Sequence, residues 1–219
     1  MLGKTALRRR RELAVALAAL CLLTYGGWGA WKAYRATHSA DSIAGIAALA
    51  TDPAAIPDET PIDTAQPYAV ADDLPKLISL PSLGVQGFVQ RISADSAGTL
   101  AVPTNVHVAG WYVGSAKPGE AGLSIIDGHL QGKYREGIFK RLGDLKAGDG
   151  IEITFGDGSV KKFAVVHVQS YALADAGAAL FVHDPAISSQ LTLITCAGQY
   201  DTQAQAYAER VIVTARYVP

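Results

Sequence analysis

From about residue 74 onward the chain breaks into short apolar, β-branched runs separated by turn signals, a pattern that admits few folds. Strands are predicted at residues 84–91, 123–127, 151–155, 160–168, 191–196 and 210–217. Gly156-Asp157-Gly158-Ser159 joins two of them with hairpin chemistry. Helical stretches are few, and residues 137–145 are the best candidate. Residues 74–219 are therefore expected to form one mainly-β domain, a barrel or a sandwich. There is no internal repeat, no Gly-rich phosphate loop and no Cys/His cluster spaced for zinc.

The N-terminal part has a different character. Residues 13–31 form an apolar block without a charge, long enough to cross a hydrocarbon core of ~30 Å at ~1.5 Å per residue. A cleaved signal peptide would carry a shorter apolar region and end in a small-x-small site, whereas Trp28 and Trp31 suit an interfacial anchor. Lys4 and Arg8 to Arg11 precede the block, against only Lys32 and Arg35 close behind it. This basic asymmetry predicts residues 1–12 in the cytoplasm, a single transmembrane anchor at 13–31 and the remainder outside the cell. Residues 32–73, rich in Ala, Asp, Thr and Pro, are expected to form an extracellular spacer, with a short helix possible at 41–50.

Beyond residue 35 the chain holds 12 basic and 19 acidic residues, a net charge of −7, which argues against nucleic acid as a partner. Cys21 falls inside the apolar block, so Cys196 is the one cysteine of the outer part and has no partner for an internal disulfide. A lone Cys in a strand is usually a small buried hydrophobe. An exported domain that keeps one free thiol nevertheless invites a functional explanation.

The residues around Cys196 could support nucleophilic chemistry. A thiol must lose its proton before it attacks, and a histidine can accept that proton. An arginine can stabilise the oxyanion that forms on an attacked carbonyl. Cys196 is expected at the end of one strand and Arg210 at the start of the next. An antiparallel pairing would bring them to one rim of the sheet. Arg216 shares Arg210's face but lies six residues on, about 20 Å away at ~3.3 Å per residue, so Arg210 is preferred. Of the five histidines, spacing favours His129 only slightly: Gly128 precedes it at a strand end and a polar loop follows. The others are His38 in the spacer, His107, His167 within an apolar strand and His183 in a loop.

Ordered motifs over almost all of residues 74–219 add a resemblance. They run Leu80-Pro81-Ser82-Leu83-Gly84-Val85, Gly98-Thr99-Leu100-Ala101-Val102-Pro103, Gly110-Trp111-Tyr112 and Pro118-Gly119-Glu120. Ile126-Asp127-Gly128-His129 and Gly137-Ile138-Phe139-Lys140-Arg141-Leu142 follow, then Leu145-Lys146-Ala147-Gly148-Asp149. Thr192-Leu193-Ile194-Thr195-Cys196 and Arg210-Val211-Ile212-Val213 complete the set. In this order they resemble the sortases, the cysteine transpeptidases of bacterial surfaces, and most closely those of class F.

The resemblance implies a closed eight-stranded β-barrel with short helices. It implies catalysis by His129, Cys196 and Arg210, with Thr195 lining the substrate groove. The implied reaction cleaves an LPXTG-like sorting signal between Thr and Gly through a thioacyl enzyme. The acyl group then passes to an amine of a peptidoglycan precursor or a pilin lysine. No organic cofactor is implied, and the aspartates are too scattered to predict a calcium or other metal site. A papain-like peptidase would place Cys before His, and an L,D-transpeptidase would show a Ser-x-Gly-Cys run. The remaining rival is a membrane-tethered β-barrel binding module with an idle thiol.

Overall fold

The computed structural model describes residue 43 and residues 45–219. The apolar block 13–31, predicted as a transmembrane anchor, lies outside them, as do residues 1–12 and His38. No helix among the described residues is long and apolar enough to cross a membrane.

Eight strands form the domain: β1 (Pro75–Leu80), β2 (Val85–Ile92), β3 (Ala109–Tyr112), β4 (Gly122–Gly128), β5 (Gly150–Phe155), β6 (Val160–Ala172), β7 (Ser189–Asp201) and β8 (Ala206–Val218). They close into a barrel in the order β1-β2-β3-β4-β7-β8-β6-β5, with β1 pairing β5 across the seam. Two pairings are parallel, β2 with β3 and β4 with β7; the rest are antiparallel. The expected closed eight-stranded barrel is therefore observed.

Strand alternation divides the apolar residues between two faces. Ile78, Val89, Trp111, Ile126, Ile151, Ile153, Phe163, Leu191, Leu193 and Val213 fill the interior. Each fully buried large side chain contributes about 1.5–3 kcal/mol relative to exposure. The alternate residues Ile125, Ile194 and Ile212 point outward from β4, β7 and β8. They are buried there with Leu180, from the end of helix α1 (Leu173–Leu180). The three central strands thus carry apolar residues on both faces, and the outer patch forms a floor beside the site.

Two expectations require correction. Residues 137–145 form a turn followed by a single 3₁₀ turn at Leu142–Asp144, not an α-helix. The N–H groups of Gly137 and Phe139 donate to the carbonyls of Leu130 and His129, so those donors serve the end of β4. A Cβ at Gly137 would collide with the His129 carbonyl, which explains the glycine. The apolar spacing there is real, since Ile138, Phe139, Leu142 and Leu145 are all buried, but it serves tertiary packing.

The second correction concerns residues 45–73, expected as a spacer. They are largely irregular, yet they lie against the barrel. Ile46 and Tyr68 are buried with Phe88 and Val108 on the outer side of β2, and the Tyr68 hydroxyl donates to Val89 O at 2.9 Å. The buried Gln90 amide donates to Gly45 O and Ala48 O, while its oxygen accepts from the Thr104 backbone at 2.9 Å. The Glu59 carboxylate accepts from Lys133 N at 2.6 Å and Tyr134 N at 2.8 Å, holding the loop that follows His129.

Candidate active site

Cys196 and Arg210 are direct cross-strand partners in the β7–β8 ladder. The strands run further than predicted, so the pair sits inside a long hairpin and not at its ends. The ladder shifts register between Ala197 and Tyr200, just beyond Cys196. Arg216 instead opposes Gln190 and Ala164, well down the barrel from the thiol.

His129 reaches the same place from β4. The parallel register pairs Asp127 with Ile194, and Thr195 Oγ1 donates to Gly128 O at 2.7 Å. His129 and Cys196 are each the next residue beyond that bond. Gly128 has a packing reason, because a Cβ there would strike the Phe139 ring. His129 Nε2 lies 2.7 Å from Pro103 O. A carbonyl can only accept, so Nε2 carries hydrogen and donates, leaving Nδ1 as the acceptor of the neutral ring.

Thr195 was expected in the substrate groove. It is buried, at 2% exposure, with its hydroxyl committed to Gly128 O. Alternation sends it to the face opposite Cys196. It is a strap between β7 and β4, not a groove residue.

The electrostatics of the thiol are mixed. Burial pushes the Cys196 thiol up from its ordinary value; Arg210 opposes this, and the Asp127 carboxylate adds to it. The resting thiol is therefore protonated at neutral pH, and its activation requires a base. Arg210 Nη1 donates to Tyr207 O at 3.1 Å and Glu209 O at 2.8 Å, which curls the guanidinium along its own strand.

Asp127, Gln131 and Tyr207 were not foreseen as part of this region. Asp127 alternates onto the face of Ile125 and His129, and an i, i+2 reading of Asp127-Gly128-His129 would have found it. It keeps some solvent-facing surface, but its carboxyl group is enclosed closely enough that burial raises its pKa. The charges of His129 and Arg210 oppose that rise. The Tyr207 hydroxyl is raised first by burial and then by Cys196, while a hydrogen bond with the Gln131 side chain lowers it. That bond joins the hairpin to the loop after His129. Tyr200 packs edge-on against Tyr207 with ring centroids 5.1 Å apart.

The other described histidines stand elsewhere. His107 lies under the N-terminal segment with a buried, unpartnered Nε2. His167 is exposed on β6, and His183 Nε2 is 2.7 Å from Ile187 O in its own loop.

A thiol, an imidazole with a free ring nitrogen and a permanent cation thus meet at one end of an apolar outer floor. The set can carry out acyl transfer. Residues 78–218 match the model of the Sortase domain. Among solved structures, Sortase A from Corynebacterium diphtheriae, lid mutant, is 27% identical with a TM-score of 0.52, over 70% of this chain and 74% of that one. The Sortase A from Corynebacterium diphtheriae without that designation is 22% identical with a TM-score of 0.51, over 87% and 85%. A Clostridium perfringens Sortase D5 transpeptidase shares the fold at 20% identity and a TM-score of 0.50, over 67% and 80%. No curated protein sequence gives a significant match. The family model covers well over half of the chain and contains the Cys196, His129 and Arg210 positions, so the chain belongs to the sortase family of cysteine transpeptidases.

Proposed function

We propose that this chain is a membrane-anchored sortase, most like those of class F, that cuts an LPXTG-like sorting signal between Thr and Gly. It would transfer the protein to an amine of a peptidoglycan precursor or a pilin lysine. Residues 13–31 anchor it and the barrel faces the outside. The observation that carries this reading is the Cys196–Arg210 cross-strand pair, with His129 brought alongside by the Thr195–Gly128 bond.

Each role follows from the chemistry. His129 takes the thiol proton on Nδ1, because Nε2 is held by Pro103 O. The thiolate attacks the Thr carbonyl carbon, and the oxyanion that forms faces Arg210. Collapse breaks the C–N bond, His129 returns its proton to the departing glycine amine, and a thioester remains on Cys196. The incoming amine then attacks the thioester. Because the resting thiol is neutral, substrate binding and proton transfer to His129 together create the nucleophile.

The test incubates the full-length chain with an LPXTG-type peptide and hydroxylamine. Release of the peptide hydroxamate is expected, and Cys196→Ala abolishes it. Unchanged hydroxamate formation by Cys196→Ala would remove Cys196 from the mechanism.

A further inference from the structure

The site contains one charged group that the thioacylation steps leave unused, and its sign works against them. Asp127 lies in β4 on its outward face, two residues before His129, which stands just past the strand's end. It is opposite Ile194, which is two residues before Cys196 on β7, and it feels the charges of His129, Arg210 and Cys196. No ion pair among the described residues engages it, and its hydrogen-bond partner is the adjacent Gly128 backbone. A carboxylate here opposes thiolate formation, since it raises the Cys196 thiol. Its use must be sought in the other half of the reaction.

After thioacylation the sulfur is acylated and neutral, and His129 has given up its proton. Arg210 then remains as a permanent cation. The acceptor amine arrives at neutral pH as an ammonium ion, which Arg210 repels. Proton balance adds a second demand. An ammonium that becomes an amide loses two protons as its C–N bond forms and the C–S bond breaks. The leaving sulfur takes one proton by way of His129 and returns to the neutral resting thiol. His129 also rests neutral, so the other proton must leave the site, and a neighbouring carboxylate can accept it.

We propose that Asp127 is the acceptor-side residue of this enzyme: its carboxylate docks the ammonium group of the incoming nucleophile and takes up the second proton of aminolysis. The inference rests on the sortase reading above and extends it to the class of acceptor, a primary amine that is cationic in solution. Ammonium, thioester, neutral His129 and ionised Asp127 become amide, thiol, neutral His129 and protonated Asp127. The net charge is unchanged, and Asp127 then releases its proton to solvent. Neutralising the field of Arg210 is what a buried carboxylate offers here and a neutral residue cannot.

The experiment uses the full-length chain and an LPXTG-type peptide near neutral pH, with two nucleophiles in separate reactions. Triglycine carries an ammonium group, whereas hydroxylamine is largely uncharged. The readout is the ratio of kcat/KM for triglycine transfer to that for hydroxamate formation. In Asp127→Asn this ratio falls by about tenfold or more, the scale of a lost proton acceptor combined with a lost counter-charge. Asp127→Glu keeps the carboxylate and holds the ratio within about threefold of the unaltered chain. An unchanged ratio in Asp127→Asn, or equal loss with both nucleophiles, overturns the assignment, and so does a tenfold fall in Asp127→Glu. If the unaltered chain cleaves no such peptide with either nucleophile, the sortase substrate reading fails and takes this inference with it.

Discussion

At the scale of single residues, alternation along three strands decides which candidate side chains come together. Arg210 and Arg216 share a side of β8, but only Arg210 opposes Cys196. Arg210→Ala is expected to lower kcat/KM for peptide cleavage by about 100-fold or more, the range for loss of an oxyanion donor. Arg216→Ala stays within about threefold in the same assay. The reverse ranking would reassign the cation. Thr195→Val retains shape but strands the Gly128 carbonyl, and a loss of about 1–3 kcal/mol is expected in denaturant unfolding. A variant as stable as the unaltered chain would show that the Thr195 strap does not hold β7 to β4. The meeting of Cys196 and Arg210 was legible because the end of one apolar run and the start of the next must pair across a hairpin. Motif order does not show which face Thr195 takes; the period of two sets it opposite Cys196. The same period puts Asp127 beside His129 on one face, which its place in Asp127-Gly128-His129 does not advertise.

At the scale of elements, six of the eight strands were readable, and β1 and β3 were not. β7 and β8 carry enough β-branched residues to declare themselves, although they extend beyond their apolar stretches into polar hairpin ends. β3 has only four residues, two of them Ala and Gly, and β1 opens with a proline; neither offers a period to detect. Residues 137–145 show apolar spacing suited to a helix, but their donors are claimed by the end of β4. The segment before β1 looked like a spacer because its attachments are isolated side chains, such as Tyr68 and Glu59, within polar sequence. Glu59 supplies a direct test. Glu59→Ala removes two bonds from the loop after His129 and should cost about 1 kcal/mol of local stability. Tryptic cleavage after Lys133 or Arg135 should then accelerate about fivefold, measured on the native protein by mass spectrometry. An unchanged cleavage rate would mean that Glu59 does not secure this loop.

At the scale of the whole molecule, the domain is larger than its motifs suggest, because residues 45–73 pack into the same compact unit as the barrel. The added segment also encloses His107, whose pKa is lowered chiefly by burial. The unfolded chain takes up this proton near the ordinary value of 6.5, while the folded chain resists it. Stability from His107 is therefore complete above that pH and declines as pH falls through it. Asp127 acts in the opposite sense, since its raised carboxyl binds a proton more readily when folded. The effect of His107 is best read as a difference. Between about pH 7.5 and about pH 5.5, the fall in melting temperature should be smaller in His107→Gln than in the unaltered chain. Equal slopes would exclude His107 as a source of acid sensitivity. The parallel pairing of β4 with β7 has a consequence in time. A parallel neighbour cannot be reached by a hairpin, so β5, β6 and α1 intervene between His129 and Cys196. While the chain is being synthesised, Cys196 therefore cannot meet His129 until the last quarter of the polypeptide has emerged and the barrel has closed. The juxtaposition of Cys196, His129 and Arg210 arrives only with completion of the fold.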